Sequence, residues 1–282
     1  MENKRIYEQA GVAMTSRSYA EYEKMFMLMT EDLQGKRVLD VAGGASSFTT
    51  EARKLGIFSE AADPLYEKSP EAIEQHGRQE IELVAAKMEK LQDVYDWTFY
   101  GSLSNHTAGR VKSLDRFLED FSSDDGASRY HAASLPSLPF EQESFDLVLC
   151  SHFLFLYEEQ FDYAFHLEAV RELIRVVKSG GEVRIYPLLS FRTAEYSRLS
   201  EIMDELANEG HLVEKREASL PFLPNSHQYL SIIKIGSAKE ENVGTSTNFS
   251  LSAAFYSLIY PKCDGIISLF VIDGDIFRRL FT

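Results

Sequence analysis

Cysteine, tryptophan and basic residues are all scarce in this chain of 282 residues. It has two cysteines, one tryptophan, and 29 lysines and arginines against 44 aspartates and glutamates. Cys150 lies in an apolar run and Cys263 near the end, a spacing that makes neither a disulfide framework nor a metal site. A reducing compartment and no bound metal are expected. The formal net charge of −15 repels phosphate backbones and argues against nucleic acid as a partner, with no Lys/Arg cluster to offset it. No apolar run approaches the ~20 residues of a membrane span. The opening "MENKRIYEQ" lacks the apolar core of a signal peptide. These absences predict a soluble, cytoplasmic protein with no membrane segment.

What is present is a regular alternation. "KRVLDVAGGASSF" reads as a buried strand ending at Asp40, a turn of small residues, and the start of a helix on which Phe48, Ala52 and Leu55 share a face. Before it, residues 16–33 place Tyr22, Phe26, Met29 and Leu33 at helical spacing. After it, "SEAADPLY" is a weak strand ending at Asp63. The stretch from there to Tyr130 is long for a crossover, since a whole βαβ unit needs only ~30 residues.

A helical insertion, about 65–128, is therefore expected. Ser69-Pro70 supplies a cap and a first-turn proline, Val111, Leu114, Leu118 and Phe121 mark a second helix, and the aromatics Tyr95, Trp97, Phe99 and Tyr100 lie between. From Tyr130 onward the pattern is strand "RYHAAS", strand "FDLVLCSH", helix "FHLEAVRELIRVV" ending in "KSGG", strand "EVRIYPLL", one more helix, and two runs near 211–217 and 228–235 able to form a hairpin. The fold class predicted is α/β, a doubly wound, mostly parallel seven-stranded sheet. Residues 1–235 form its domain. Residues 236–282 read as a polar linker and a C-terminal extension of unknown role.

Over roughly residues 20–235 the sequence resembles the class I S-adenosylmethionine-dependent methyltransferases, whose fold is Rossmann-like. The landmarks are "VLDVAGGAS", the acid of "AADP", "LPFEQESFDLVLCSHFLFLY" and "ELIRVVKSGGEVRIY", in that order. A dinucleotide-binding turn would need G-x-G-x-x-G, and "AGGASS" does not supply that spacing.

The resemblance implies S-adenosylmethionine as cofactor, with Asp40 orienting its ammonium, Ala42, Gly43 and Gly44 forming the floor beneath it, and Asp63 taking the ribose hydroxyls. Ser46 stands where relatives more commonly have glycine. Ser134 and Leu135 fall at the adenine position, where many relatives carry an aspartate, and Ser151, at the end of the fourth strand, is a further cofactor-binding candidate. Asp63 has the competing reading of a turn aspartate.

Methyl transfer needs alignment and water exclusion more than a catalytic triad. His152 is the candidate base, with packing as its alternative role, so no catalytic residue is assigned. The aromatics of the insertion, with Asn105 and His106, are expected to wall an acceptor pocket or to pin the insertion to the sheet. The functional expectation is methyl transfer to a small-molecule acceptor. The alternative is a non-catalytic module that keeps the fold and the cofactor.

Overall fold

The protein is described by a computed structural model covering residues 11–236 except 221 and 224. The expected linker and C-terminal extension lie outside the described residues. In chain order the elements are α1 (Tyr19–Phe26), α2 (Thr30–Leu33), β1 (Arg37–Val41), α3 (Phe48–Lys54), β2 (Phe58–Ala62), α4 (Pro70–Glu89) and α5 (Leu103–Phe121). They continue as β3 (Tyr130–His131), β4 (Phe145–Ser151), α6 (Tyr163–Val176), β5 (Val177–Tyr186), α7 (Leu199–Asn208), β6 (Leu212–Glu217) and β7 (Gln228–Ile233).

Local chemistry fixes the helix starts. Ser69 Oγ accepts the Ala72 N–H ahead of Pro70, Ser102 Oγ accepts the Asn105 N–H, and Asp162 Oδ1 accepts the Phe165 N–H. Each satisfies a donor that the first turn leaves without an intrahelical partner.

The strand order is β3-β2-β1-β4-β5-β7-β6, and β7 runs against both β5 and β6 while the other pairs are parallel. The expected mostly parallel, seven-stranded, doubly wound sheet is what forms. Alternate residues of β4 enter opposite layers: Val148 and Cys150 pack with Val170 and Leu173 of α6, Leu147 and Leu149 with Phe26 and Phe48. Both faces are covered, which is why that strand is almost wholly apolar. The order reverses between β1 and β4, and ligands of such sheets bind beyond the strand ends at that reversal.

Three expectations need adjusting. The helical stripe over 16–33 is two helices, because Met27 takes a left-handed conformation (φ 51°) and ends α1. "KSGG" does not follow a finished helix as a turn: it lies within β5, where Gly180 (φ 79°) and a register shift opposite Phe145–Leu147 absorb the irregularity. The strand at "RYHAAS" shortens to two residues, with Leu135 buried in the core instead.

Candidate functional site

The turn after β1 is left-handed at Ala42 (φ 57°) and Gly44 (φ 56°), and the Ala42 N–H donates to the Ala62 carbonyl 2.9 Å away, tying the turn to β2. A Cβ on Gly43 would lie 2.8 Å from Asp40 Oδ2 and 3.0 Å from the Tyr66 hydroxyl. One on Gly44 would lie 2.6 Å from the Thr15 carbonyl oxygen. The space left by the missing side chains is thus taken by the protein itself. Residues 15–17 form a strap over the turn: the Ala45 and Ser47 N–H groups donate to the Thr15 and Arg17 carbonyls, and the Arg17 N–H donates to Ser46 Oγ. Tyr66 closes it from the other side by donating to the Gly44 carbonyl.

Two carboxylates stand under this turn. Asp40 is 1% exposed and accepts the Tyr22 hydroxyl, 2.9 Å from Oδ2 and 3.1 Å from Oδ1. Burial pushes its pKa well up; the Tyr22 hydrogen bond opposes this and the Asp63 charge adds to it. Asp63 accepts the Gly44 N–H at Oδ2 (2.9 Å) and the Leu65 N–H at Oδ1 (2.8 Å), and burial raises its pKa too. No basic side chain among the described residues forms an ion pair with either acid.

Of the positions expected at the adenine end, Leu135 is 7% exposed and belongs to the core around Ala62 and Leu138, while Ser134 is exposed and bridges to Ser137. Ser151 is buried, its Oγ 2.9 Å from His152 Nδ1. The His152 N–H donates to the Tyr186 carbonyl, and its ring meets that of Tyr186 edge-on. Burial, then the charges of Arg17 and Arg110, hold His152 well below the usual histidine pKa, so it is neutral.

Beside the strap lies a cavity of about 1390 Å³. Its walls come from residues 13–17, from α4 and α5 with the segment between them, from the loops after β4 and β5, and from Phe222 and Leu223. His152, His106 and Tyr95 line it; Tyr100, Trp97 and Phe99 do not.

The aromatics of the insertion do gather, but around Phe222: Tyr95 and His106 stack on it at 4.9 Å and 5.3 Å, and Trp97 and Tyr100 meet it edge-on. The cluster therefore pins the insertion to the β6–β7 loop and walls the cavity at once. Asn105 is exposed on the first turn of α5 and is not among the lining residues.

Glu21 was not foreseen as a functional residue, and it organises this end. Its Oε2 accepts from the Ser18 N–H and Oγ, and its Oε1 accepts from Arg110 Nη1 and the Tyr100 hydroxyl, each at 2.6 Å. Burial pushes Glu21 up, but Arg110 and Arg17 bring it down to about 2. The S-x-x-E spacing of Ser18 and Glu21 is a readable helix-start signal. Its coupling to Arg110 is not readable, because the partner lies on another helix far along the chain.

The family described as a methyltransferase domain matches residues 119–185, which hold β3, β4, α6 and nearly all of β5. An uncharacterized protein of Methanocaldococcus jannaschii, MJ0045, is 30% identical over 193 residues, 68% of this chain and 85% of that protein. The chain belongs to the class I S-adenosylmethionine-dependent methyltransferase family. Among solved structures, this methyltransferase is similar to the PH0226 protein of Pyrococcus horikoshii, with 12% identity, 77% of this chain and 90% of that one covered, and a TM-score of 0.42. It is also similar to 1,6-didemethyltoxoflavin-N1-methyltransferase of Burkholderia thailandensis, with 12% identity, 77% and 79% covered, and a TM-score of 0.41.

The cofactor of this family is S-adenosylmethionine, and the donor set of the methyltransferase fits its chemistry. Asp40 and Asp63 are desolvated acids with no ion-pair partner, a situation that a ligand carrying an ammonium, a sulfonium and two ribose hydroxyls relieves. The main chain of Thr15 and the hydroxyl of Tyr66 fill the space that side chains on Gly44 and Gly43 would take.

Proposed function

We propose that this chain transfers a methyl group from S-adenosylmethionine to a small-molecule acceptor held in the cavity between α4, α5 and the loops after β4 and β5. The observation that carries the reading is that cavity: it lies at the carboxyl ends of the parallel strands, has room for a small molecule, and shares residues 15–17 with the surroundings of the glycine turn. Asp40 and Asp63 would hold the cofactor by its ammonium and ribose. When bound, the cofactor supplies an electrophilic methyl group on a positively charged sulfur.

The chain's own residues do the rest. The apolar flank of α4 and the ring cluster around Phe222 exclude water. His152 is neutral, and in the tautomer whose Nδ1–H donates to Ser151 Oγ its Nε2 is free to take a proton from an acceptor that must lose one.

A non-catalytic role for the same fold is favoured by one feature, the strap laid on the turn. Turnover separates the two readings. Methyl-labelled S-adenosylmethionine incubated with the protein and a metabolite extract is expected to label the low-mass fraction. Label in macromolecules alone would contradict a small-molecule acceptor, and no label anywhere, with S-adenosylhomocysteine still bound, would favour the non-catalytic reading.

A further inference from the structure

Charge is distributed unevenly over the cavity. Arg17 lines it with its side chain 12% exposed, yet its guanidinium makes no hydrogen bond among the described residues, and Nε is buried without a partner. Its nearest carboxylate oxygen, Glu21 Oε1, is 3.7 Å away and already takes Arg110 and Tyr100 at 2.6 Å. Arg110, in contrast, is matched: Nη1 donates to Glu21 and to the Ser16 carbonyl, and Nη2 to Tyr100. Glu21 therefore compensates Arg110, and Arg17 is left as a desolvated cation in the cavity wall, with a planar set of donors that lack hydrogen-bond partners among the described residues. Such a fork matches a carboxylate in both charge and geometry.

The wall along α4 is of the opposite character. Ile81, Val84, Ala85 and Met88 present one apolar flank, continued by Leu91, and Leu156 faces the cavity from the loop after β4. Glu80 also lines the cavity and leaves Oε2 buried without a partner. Its charge acts at Tyr157, where Arg17 acts in the opposite sense, and His152 is acted on by Arg17 and Arg110. An acidic head is repelled by Glu80 and drawn to Arg17, and the apolar flank of α4 is left for the rest of the ligand.

We infer that the acceptor is an apolar carboxylic acid, with its carboxylate on Arg17 and its hydrocarbon or aromatic body along α4. This rests on the acceptor reading of the cavity given above. A carboxylate also occurs on the methyl donor itself, so the test separates the two sources.

Octanoate and 1-naphthoate are titrated calorimetrically into the full chain beside their uncharged counterparts, 1-octanol and 1-naphthalenemethanol, and S-adenosylhomocysteine is titrated separately. At least one acid is expected to bind ten-fold or more tightly than its alcohol. That preference should vanish in Arg17→Met and persist in Arg17→Lys, with S-adenosylhomocysteine affinity the same in all three chains. Equal binding of acids and alcohols by the unaltered protein overturns the inference whatever the variants do. So does a preference that survives in Arg17→Met, or an Arg17→Met chain that loses S-adenosylhomocysteine affinity instead, which would assign the cation to the donor. Loss of labelled methyl transfer with the acid preference intact would count against the transfer reading alone.

Discussion

Arg110 reaches from the middle of α5 to Glu21 on α1, Nη1 to Oε1 2.6 Å, and this pair fastens the segment between β2 and β3 to the N-terminal helix. The side chains are 10% and 5% exposed. Replacing Glu21 by glutamine keeps the shape but leaves the guanidinium of Arg110 desolvated without a counter-charge. A loss of about 3–5 kcal/mol in urea unfolding is expected, as for other buried pairs broken on one side. A change below about 1 kcal/mol would show that the pair behaves as an exposed one.

Gly44→Ala should release the strap. The new Cβ would meet the Thr15 carbonyl at 2.6 Å, and the residue sits at φ 56°, which alanine adopts only at a cost. Trypsin cleavage after Arg17 is the readout, and it should become several-fold faster in the variant. An unchanged cleavage rate would mean that residues 15–17 are not held by the turn.

Asp63 does two jobs, and its removal should show both. Its carboxylate accepts the N–H groups of Gly44 and Leu65, so Asp63→Ala leaves two donors without their partner and should cost about 1–3 kcal/mol of stability. If it also holds the ribose, S-adenosylhomocysteine affinity falls ten-fold or more at a temperature where the variant is fully folded. Stability lost with affinity unchanged would reduce Asp63 to a turn residue.

His106 makes stability depend on pH with a definite sign. Burial first, then Arg110 and Arg17, lower its pKa from 6.5 to about 3. The unfolded chain therefore takes up a proton near pH 6.5 that the folded chain refuses. The contribution of His106 is complete above that pH and is lost as pH falls toward about 3. Comparing the protein with His106→Asn isolates this effect from Asp40, whose raised pKa acts in the opposite direction. Between about pH 7.5 and about pH 5 the variant should gain roughly 2 kcal/mol relative to the parent. A difference independent of pH would show that His106 titrates normally.

The sheet was legible because each of its elements announces itself locally. Ser69-Pro70 starts a helix by capping chemistry, and the near-continuous apolar run of β4 reports cover on both faces. The glycine turn was legible for the same reason, but what lies on it was not. Thr15 and Arg17 hold the turn through main-chain carbonyls, which any side chain would leave in place, so residues 15–17 carry no pattern that reveals the strap. Arg17, Glu21 and Arg110 escaped notice because their meaning lies in a shortage of partners at one end of a cavity. That shortage exists only after distant segments have been brought together. Leu135 falls at the cofactor by resemblance to the family, yet its apolar side chain lies in the core.

Whether methyl transfer takes place in the cavity beside the strap is decided by single-turnover transfer of labelled methyl to metabolite-extract acceptors by a pocket-filled variant. Val84 lines that cavity from α4 and Asp40 and Asp63 do not, so Val84→Trp should fill the acceptor space and leave the turn in place. At least a ten-fold loss of transfer is expected, with S-adenosylhomocysteine affinity unchanged. Transfer by Val84→Trp at the parent rate would contradict it.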